Sequence, residues 1–398
     1  MRFTLQGARL VDATMDVAHG DLIVAGGSIE AVGAVDSIGT NHTGDAQVID
    51  ASDYIILPGF IEVHSHGGGG FNLHTTNTNE IRDYARWIPT TGVTSFLVTV
   101  VGTPNALPET QLCVAVEAIE QPGEGVAAEA AGIFMEGPYI SVQKRGAHPP
   151  VWLREPDESE TAHIMDITHQ HLRLITIAPE LPGAATLIRS LVEAGVTVAI
   201  GHTDVDYDQA VASIKLGMTH ATHCFNAMRA MQHREPGPIP AIVQAPQVFG
   251  ELIGDGIHVH PAMMDMFVRL LTPQRTVVVT DALAGAGLTE ATFEFAGQEA
   301  HVICGAARLN DGTLTGSVLT LDKALHNMLE MTHCSLSDIS AMLSYNPACS
   351  VHLADRKGSL QVGHDADLVI YDRNLQLQAT ICRGEFAYAS EEWRSHIG

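Results

Sequence analysis

Between residues 55 and 280 the chain repeats one pattern, a short apolar run rich in β-branched residues followed by a longer stretch of helical character. The runs fall at 55–63, 94–100, 132–135, 172–177, 196–200, 220–223, 251–253 and 277–280. Buried strands alternating with helices predict parallel βα units, and eight such units close into a (β/α)8 TIM-like barrel. An open doubly wound sheet is the alternative. No G-x-G-x-x-G or Walker loop opens a helix, however, and the Gly67-Gly68-Gly69-Gly70 run lacks the helix and acidic residue of a dinucleotide site.

The two ends of the chain follow a different rhythm. Residues 3–10, 20–25, 27–32 and 47–50 read as short alternating strands between turns, one of them Asn41-His42-Thr43-Gly44. The same style returns from 363 to about 389, with strands at 366–372 and 378–382. The pattern therefore predicts an α/β protein with a small β-sandwich domain drawn from both ends, 1–57 and 360–398, around a barrel at 58–359. The 398 residues accommodate this, because a barrel alone takes about 250.

Charge narrows the partners. With 21 Lys+Arg against 46 Asp+Glu the formal net charge is −25, which repels nucleic acid and anionic membranes at long range. An anionic substrate must then be gripped by a few local cations. The apolar runs are strand-sized, well short of the roughly 20 residues that span a bilayer. The opening MRFTLQGARLVDATMD lacks the cationic start and apolar core of an export signal, so a cytoplasmic protein is expected. Six cysteines (Cys113, Cys224, Cys304, Cys334, Cys349, Cys382) form no C-x-x-C pair, which predicts reduced thiols.

Candidate chemistry lies where the runs end. Barrel active sites gather at the C-terminal ends of the strands. Here the first run ends in His64-Ser65-His66, whose alternation places both imidazoles on one side, and the third in Glu136. His202 follows the fifth run, His223 ends the sixth, and Asp281 follows the eighth. Four histidines and two carboxylates at strand ends form a donor set for a divalent ion such as Zn²⁺ or Fe²⁺. One His-x-His alone is usually incidental; the joint placement carries the reading.

Those residues also carry a resemblance. Pro58-Gly59-Phe60-Ile61-Glu62-Val63-His64-Ser65-His66-Gly67 resembles the opening motif of the amidohydrolase superfamily. Met135-Glu136-Gly137-Pro138, Gly146-Ala147-His148, Gly201-His202-Thr203, His223-Cys224-Phe225-Asn226-Ala227-Met228, Asp255-Gly256-Ile257-His258 and Val279-Thr280-Asp281-Ala282 are similar to the N-acetylglucosamine-6-phosphate deacetylase family within it. The tail signature at residues 363–369 extends the likeness over essentially the whole chain. Relatives that bridge two metals with a carboxylated lysine after the fourth strand are excluded, since that strand runs into Ala178-Pro179-Glu180.

The resemblance implies that Glu136, His202 and His223 hold the principal metal, with His64 and His66 available for a second ion. One or two divalent ions are implied, zinc first and iron, manganese or cobalt as alternatives. Asp281 is implied as general base and acid toward a metal-activated water, and His148 as a polariser of the acetamide carbonyl. Ala147, Asn226, Ala227, Asp255, His258, Leu314, Thr315 and Gly316 are implied contacts to an amino-sugar phosphate, and Arg234 the grip on its 6-phosphate. In the family that arginine comes across a subunit boundary, so a homodimer is implied. Two departures leave the substrate open: Phe71-Asn72-Leu73-His74 where the family carries an aspartate, and Arg229-Ala230-Met231-Gln232 without the common proline. Deacetylation of another N-acyl amino sugar such as N-acetylgalactosamine 6-phosphate, a deaminase, and a non-catalytic scaffold are the competing readings.

Overall fold

A computed structural model describes residues 2–35, 47–288, 291–303 and 305–397, with the backbone alone for 158, 159 and 397. The Asn41-His42-Thr43-Gly44 turn and Cys304 lie outside them. The other five cysteines are free thiols, as the sequence predicts.

Eight parallel strands follow one another in sequence order: Phe60–Glu62, Val93–Val101, Glu129–Glu136, Leu172–Ile177, Thr197–Ile200, His220–Ala221, Phe249–Ile253 and Thr276–Val279. A helix follows each, from Thr78–Trp87 after the first to Leu321–Met331 after the last. The ring is completed just beyond the strand ends, where Asp281 N–H donates to the His64 carbonyl at 2.9 Å and His66 N–H to the Ala282 carbonyl at 2.7 Å. His64, His66 and Asp281 therefore sit on the seam that closes the barrel.

The first run is not one strand. Tyr54–Pro58 pairs antiparallel with Leu368–Asp372, whereas Phe60–Glu62 joins the barrel beside Val93–Val101. Gly59 is the crossing point. Its N–H donates to the Asp367 carbonyl, and a Cβ there would fall 2.2 Å from Thr94 Oγ1, so only glycine lets the chain pass. His64 and His66 accordingly follow the strand instead of ending it.

Both chain ends meet in a second, eight-stranded sheet in which Arg2–Val11, Asp16–Ala25 and Ser28–Ala34 join Leu368–Asp372, Leu377–Cys382 and Glu385–Ala389 through Tyr54–Pro58. Alternate residues Phe3, Leu5, Leu22, Val24, Ile56, Leu368, Ile370 and Ile381 share one core with Trp393. A four-stranded antiparallel sheet, Thr292–Phe295 to Leu314–Ser317, is inserted between the eighth strand and its helix. The sequence reading did not foresee it. Among the described residues no helix is long and apolar enough to cross a membrane.

Candidate active site

Glu136, the last residue of the third strand, is almost wholly buried and is the hub of the site. Its carboxylate oxygens lie 3.1 Å from His202 Nε2, 3.2 Å from the Nε2 atoms of His223, His66 and His148, and 3.4 Å from His64 Nε2. Asp281 Oδ1 stands 3.1 Å from His66 Nε2 and 3.5 Å from His64 Nε2. The convergence rests on unusual backbone. His202, His223, Ala227 and Asp281 have φ of 46°, 28°, 49° and 48°, the left-handed region that non-glycine residues rarely enter. Such strain persists only where surrounding structure enforces it, and it concentrates at functional sites.

The donor set fits a divalent cation. His202 Nδ1 is 2.8 Å from the Lys144 carbonyl, so this nitrogen carries the proton and Nε2 presents a lone pair. That lone pair faces a carboxylate oxygen and, at 3.0 Å, His223 Nε2. Acceptors pointed at one another in a buried space require a positive charge between them. His64 repeats the arrangement: Nδ1 lies against Glu251, and the buried Nε2 finds no hydrogen-bond partner. Two groups, His64 with His66 and Asp281, and Glu136 with His148 and His202, have the spacing of a metal site.

Electrostatics agree. Burial alone would lower the proton affinity of His66, but hydrogen bonds to Asp281 and Glu136 outweigh it and push its pKa up to about 9. Burial likewise opposes ionisation of Asp281, yet His64 and His66 hold it below the usual carboxylate range. The two carboxylates thus demand compensating positive charge.

Above the cluster is a cavity of about 180 Å³ whose walls include Ala147, His148, Asn226, Ala227, His258, Leu314, Thr315 and Gly316. The inserted sheet supplies the last three. Asp255 lies behind its partner, Oδ2 being 2.6 Å from His258 Nδ1. Arg234 is exposed and is not brought to this cavity within one chain.

Several residues of the site escaped the sequence reading. Glu251 and His220, both fully buried, lie 2.9 Å apart behind the histidines. Glu62 accepts the His64 N–H, and burial pushes its pKa up to about 8. Polar residues inside otherwise apolar barrel strands were the available signal. Phe295, on the inserted sheet, packs edge-on against His66 with ring centroids 5.2 Å apart. The pattern Thr292-Phe-Glu-Phe295 before Ala296-Gly297 was the hairpin signal for it.

The Amidohydrolase family pattern matches residues 55–387. The chain belongs to the amidohydrolase family.

Within that family it is 35% identical over 343 residues to N-acetylglucosamine-6-phosphate deacetylase of Bacillus subtilis (strain 168), covering 86% of each chain. It is 32% identical to N-acetylgalactosamine-6-phosphate deacetylase of Escherichia coli, over 84% of this chain and 88% of that one. Among solved amidohydrolase structures, N-acetyl-D-glucosamine-6-phosphate deacetylase from Mycobacterium smegmatis in complex with N-acetyl-D-glucosamine-6-phosphate superposes with a TM-score of 0.90. It shares 30% identity, over 98% of this chain and 100% of that one. Family membership and the two donor groups together assign a divalent-metal site to this amidohydrolase.

Proposed function

We propose that the chain hydrolyses the acetamide of N-acetyl-D-glucosamine 6-phosphate, giving D-glucosamine 6-phosphate and acetate. The observation that carries this reading is the buried cluster of Glu136, His202, His223 and Asp281 beneath a cavity walled by His148, Asn226, Ala227, His258 and residues 314–316. Relatives bearing that activity in their names, aligned over most of the chain, support the substrate.

Glu136, His202 and His223 would hold the principal ion, and His64 with His66 a second where two bind. Zinc is the first choice for these donors, and iron, manganese and cobalt suit them as well. A bound divalent ion supplies Lewis-acid polarisation of the acyl carbonyl and acidifies water. Asp281 takes the proton of the attacking water and returns it to the amine nitrogen as the C–N bond breaks. His148 donates toward the carbonyl oxygen as negative charge grows there. Asn226, Ala227, Leu314, Thr315, Gly316 and His258, the last oriented by Asp255, contact the sugar phosphate.

In this reading the protein is a cytoplasmic homodimer, and Arg234 reaches the 6-phosphate in the partner's site. Its exposure and its absence from the walls of the cavity of its own chain support that assignment. The chain divides into an accessory β-domain, 1–57 with 360–398, and a catalytic barrel, 58–359. Pairing of Leu57 with Val369 ahead of Gly59, and of Phe60 with the Gly92 carbonyl beyond it, supports the division.

The test is acetate release from N-acetylglucosamine 6-phosphate, N-acetylgalactosamine 6-phosphate and unphosphorylated N-acetylglucosamine, with metal content measured on the same samples. Fastest turnover of the first is expected. Preference for the galactosamine epimer would correct the sugar, and no acetate from metal-loaded protein would remove the activity.

A further inference from the structure

A second cavity, of about 320 Å³, lies beside the first, and the two share His66 and Phe295 as walls. Phe295 is the last residue of the strand Thr292–Phe295, and a two-residue turn, Ala296 and Gly297 at φ 52° and 74°, returns the chain to Gln298. Two successive left-handed residues make the tight hairpin turn that matches strand twist. Gln298 Nε2 donates to the Ala147 carbonyl at 3.0 Å and so fastens the hairpin to the loop bearing His148. The Phe295 ring stands over His66 at 5.2 Å and near His148 at 6.1 Å, edge-on to both. It is held as a partition.

Val101, Pro104 and Trp152 give the second cavity apolar walls. His74, also on its wall, is pushed down by burial to a pKa of about 4 and is neutral at physiological pH. Its ring packs on Trp152. Asn72, Thr103, Gln111 and Glu294 line the rest of the space, so an alkyl group is received on the face formed by Val101, Pro104 and Trp152.

The orientation of the substrate follows from the proposed function, on which this inference rests. The sugar phosphate extends toward Asn226 and Ala227, beside His223, with the carbonyl over Glu136 and His202. The acyl substituent is then left facing His66, His148 and Phe295. We propose that Phe295 sets the acyl-length specificity of the enzyme, closing the acyl end of the site at the size of acetyl and separating it from a second cavity whose apolar face, Val101, Pro104 and Trp152, would receive a longer chain.

The test compares kcat/KM, read as amine release, for N-acetyl-, N-propionyl- and N-butyryl-D-glucosamine 6-phosphate. The variants are Phe295→Ala, Phe295→Leu, and Phe295→Ala combined with Gln111→Phe, which refills the second cavity from a helix outside the catalytic cluster. Because each methylene in an apolar pocket is worth about tenfold or more in discrimination, the butyryl-to-acetyl ratio should rise at least about tenfold in Phe295→Ala. A smaller rise is expected in Phe295→Leu and a return toward wild type in the double variant. A ratio unchanged in both single variants, or a gain that survives refilling, overturns the assignment; should Phe295→Ala lose all turnover, the Phe295→Leu ratio decides. Wild type that cleaves butyryl as well as acetyl also overturns it. Absence of amine release from every substrate by wild type would remove the proposed function and this assignment with it, whereas acetyl turnover with an unmoved ratio removes this assignment alone.

Discussion

The imidazole of His64 and the carboxylate of Glu251 meet 2.8 Å apart, both fully enclosed, and this contact decides which nitrogen His64 offers to the site. With Nδ1 donating to Glu251 Oε2, Nε2 is left toward Glu136 and Asp281. The same Oε2 accepts the backbone N–H of His223 at 2.9 Å, and Oε1 lies 2.9 Å from His220 Nε2. One carboxylate thus orients donors from two different strand ends. Removing such a partner from behind a ligating imidazole typically weakens metal binding by about 10–100-fold. Glu251→Gln is expected to show that loss in a chelator competition assay. A folded variant with the affinity of wild type would rule the positioning role out.

Asp281 is the only carboxylate at the end of the eighth strand, and its backbone is locked on both sides, by N–H to the His64 carbonyl and by its own carbonyl accepting from Ser317 at 2.7 Å. A positioned general base is worth about 10²–10⁴ in rate. Asp281→Asn keeps shape and backbone bonds while removing the proton acceptor. It should lose kcat by that factor with its principal metal retained. Retained kcat in metal-loaded Asp281→Asn would assign the base elsewhere.

Arg234 allows a test of assembly and function together. Arg234→Ala should raise KM for the phosphorylated sugar, abolish the preference for it, and leave acetate release from the unphosphorylated sugar little changed. If the guanidinium serves the partner's site, mixing Arg234→Ala with Asp281→Asn and re-forming dimers restores the low KM and the preference for the phosphorylated sugar, because one of the two sites then holds both native residues. If it serves its own site, neither site is complete and the mixture keeps the raised KM and shows no preference for the phosphorylated sugar.

The barrel was legible because its strands are buried on both faces: Val93–Val101 and Thr276–Val279 are β-branched-rich and buried without alternation, and the intervening helices set the period. The strand ends named Glu136, His202, His223 and Asp281 for the same reason, since polar residues ending apolar runs are conspicuous. Gly59 was hidden, because its passage from one sheet to the other depends on Thr94, which is remote in sequence. The left-handed backbone at His202 and Asp281 was equally illegible, as tertiary hydrogen bonds impose it against local preference. Glu251 reads in sequence as a strand's polar residue, and only the fold brings it to His64.

Far from the metal cluster, Glu129 begins the third barrel strand among Arg356, Lys357 and Arg383. Burial alone would raise its pKa, but the hydrogen bond from Arg356 and the charge of Lys357, whose Nζ is 3.0 Å away, lower it from 4.5 to about 2. A carboxylate depressed on folding contributes stability that is fully present above its unfolded value and is lost as pH falls through the folded one. The window therefore runs from about pH 4.5 down to about 2, and the shift is worth up to about 3 kcal/mol at neutral pH. Glu129→Gln removes the titrating group but leaves its cations in place. In urea unfolding the variant should be less stable than wild type at pH 7, with the gap narrowing steadily below pH 4.5. Comparing the two proteins at each pH cancels the acid sensitivity of the histidine cluster, which both share. A gap that stays constant between pH 7 and 3 would mean that Glu129 contributes through packing and not through its charge.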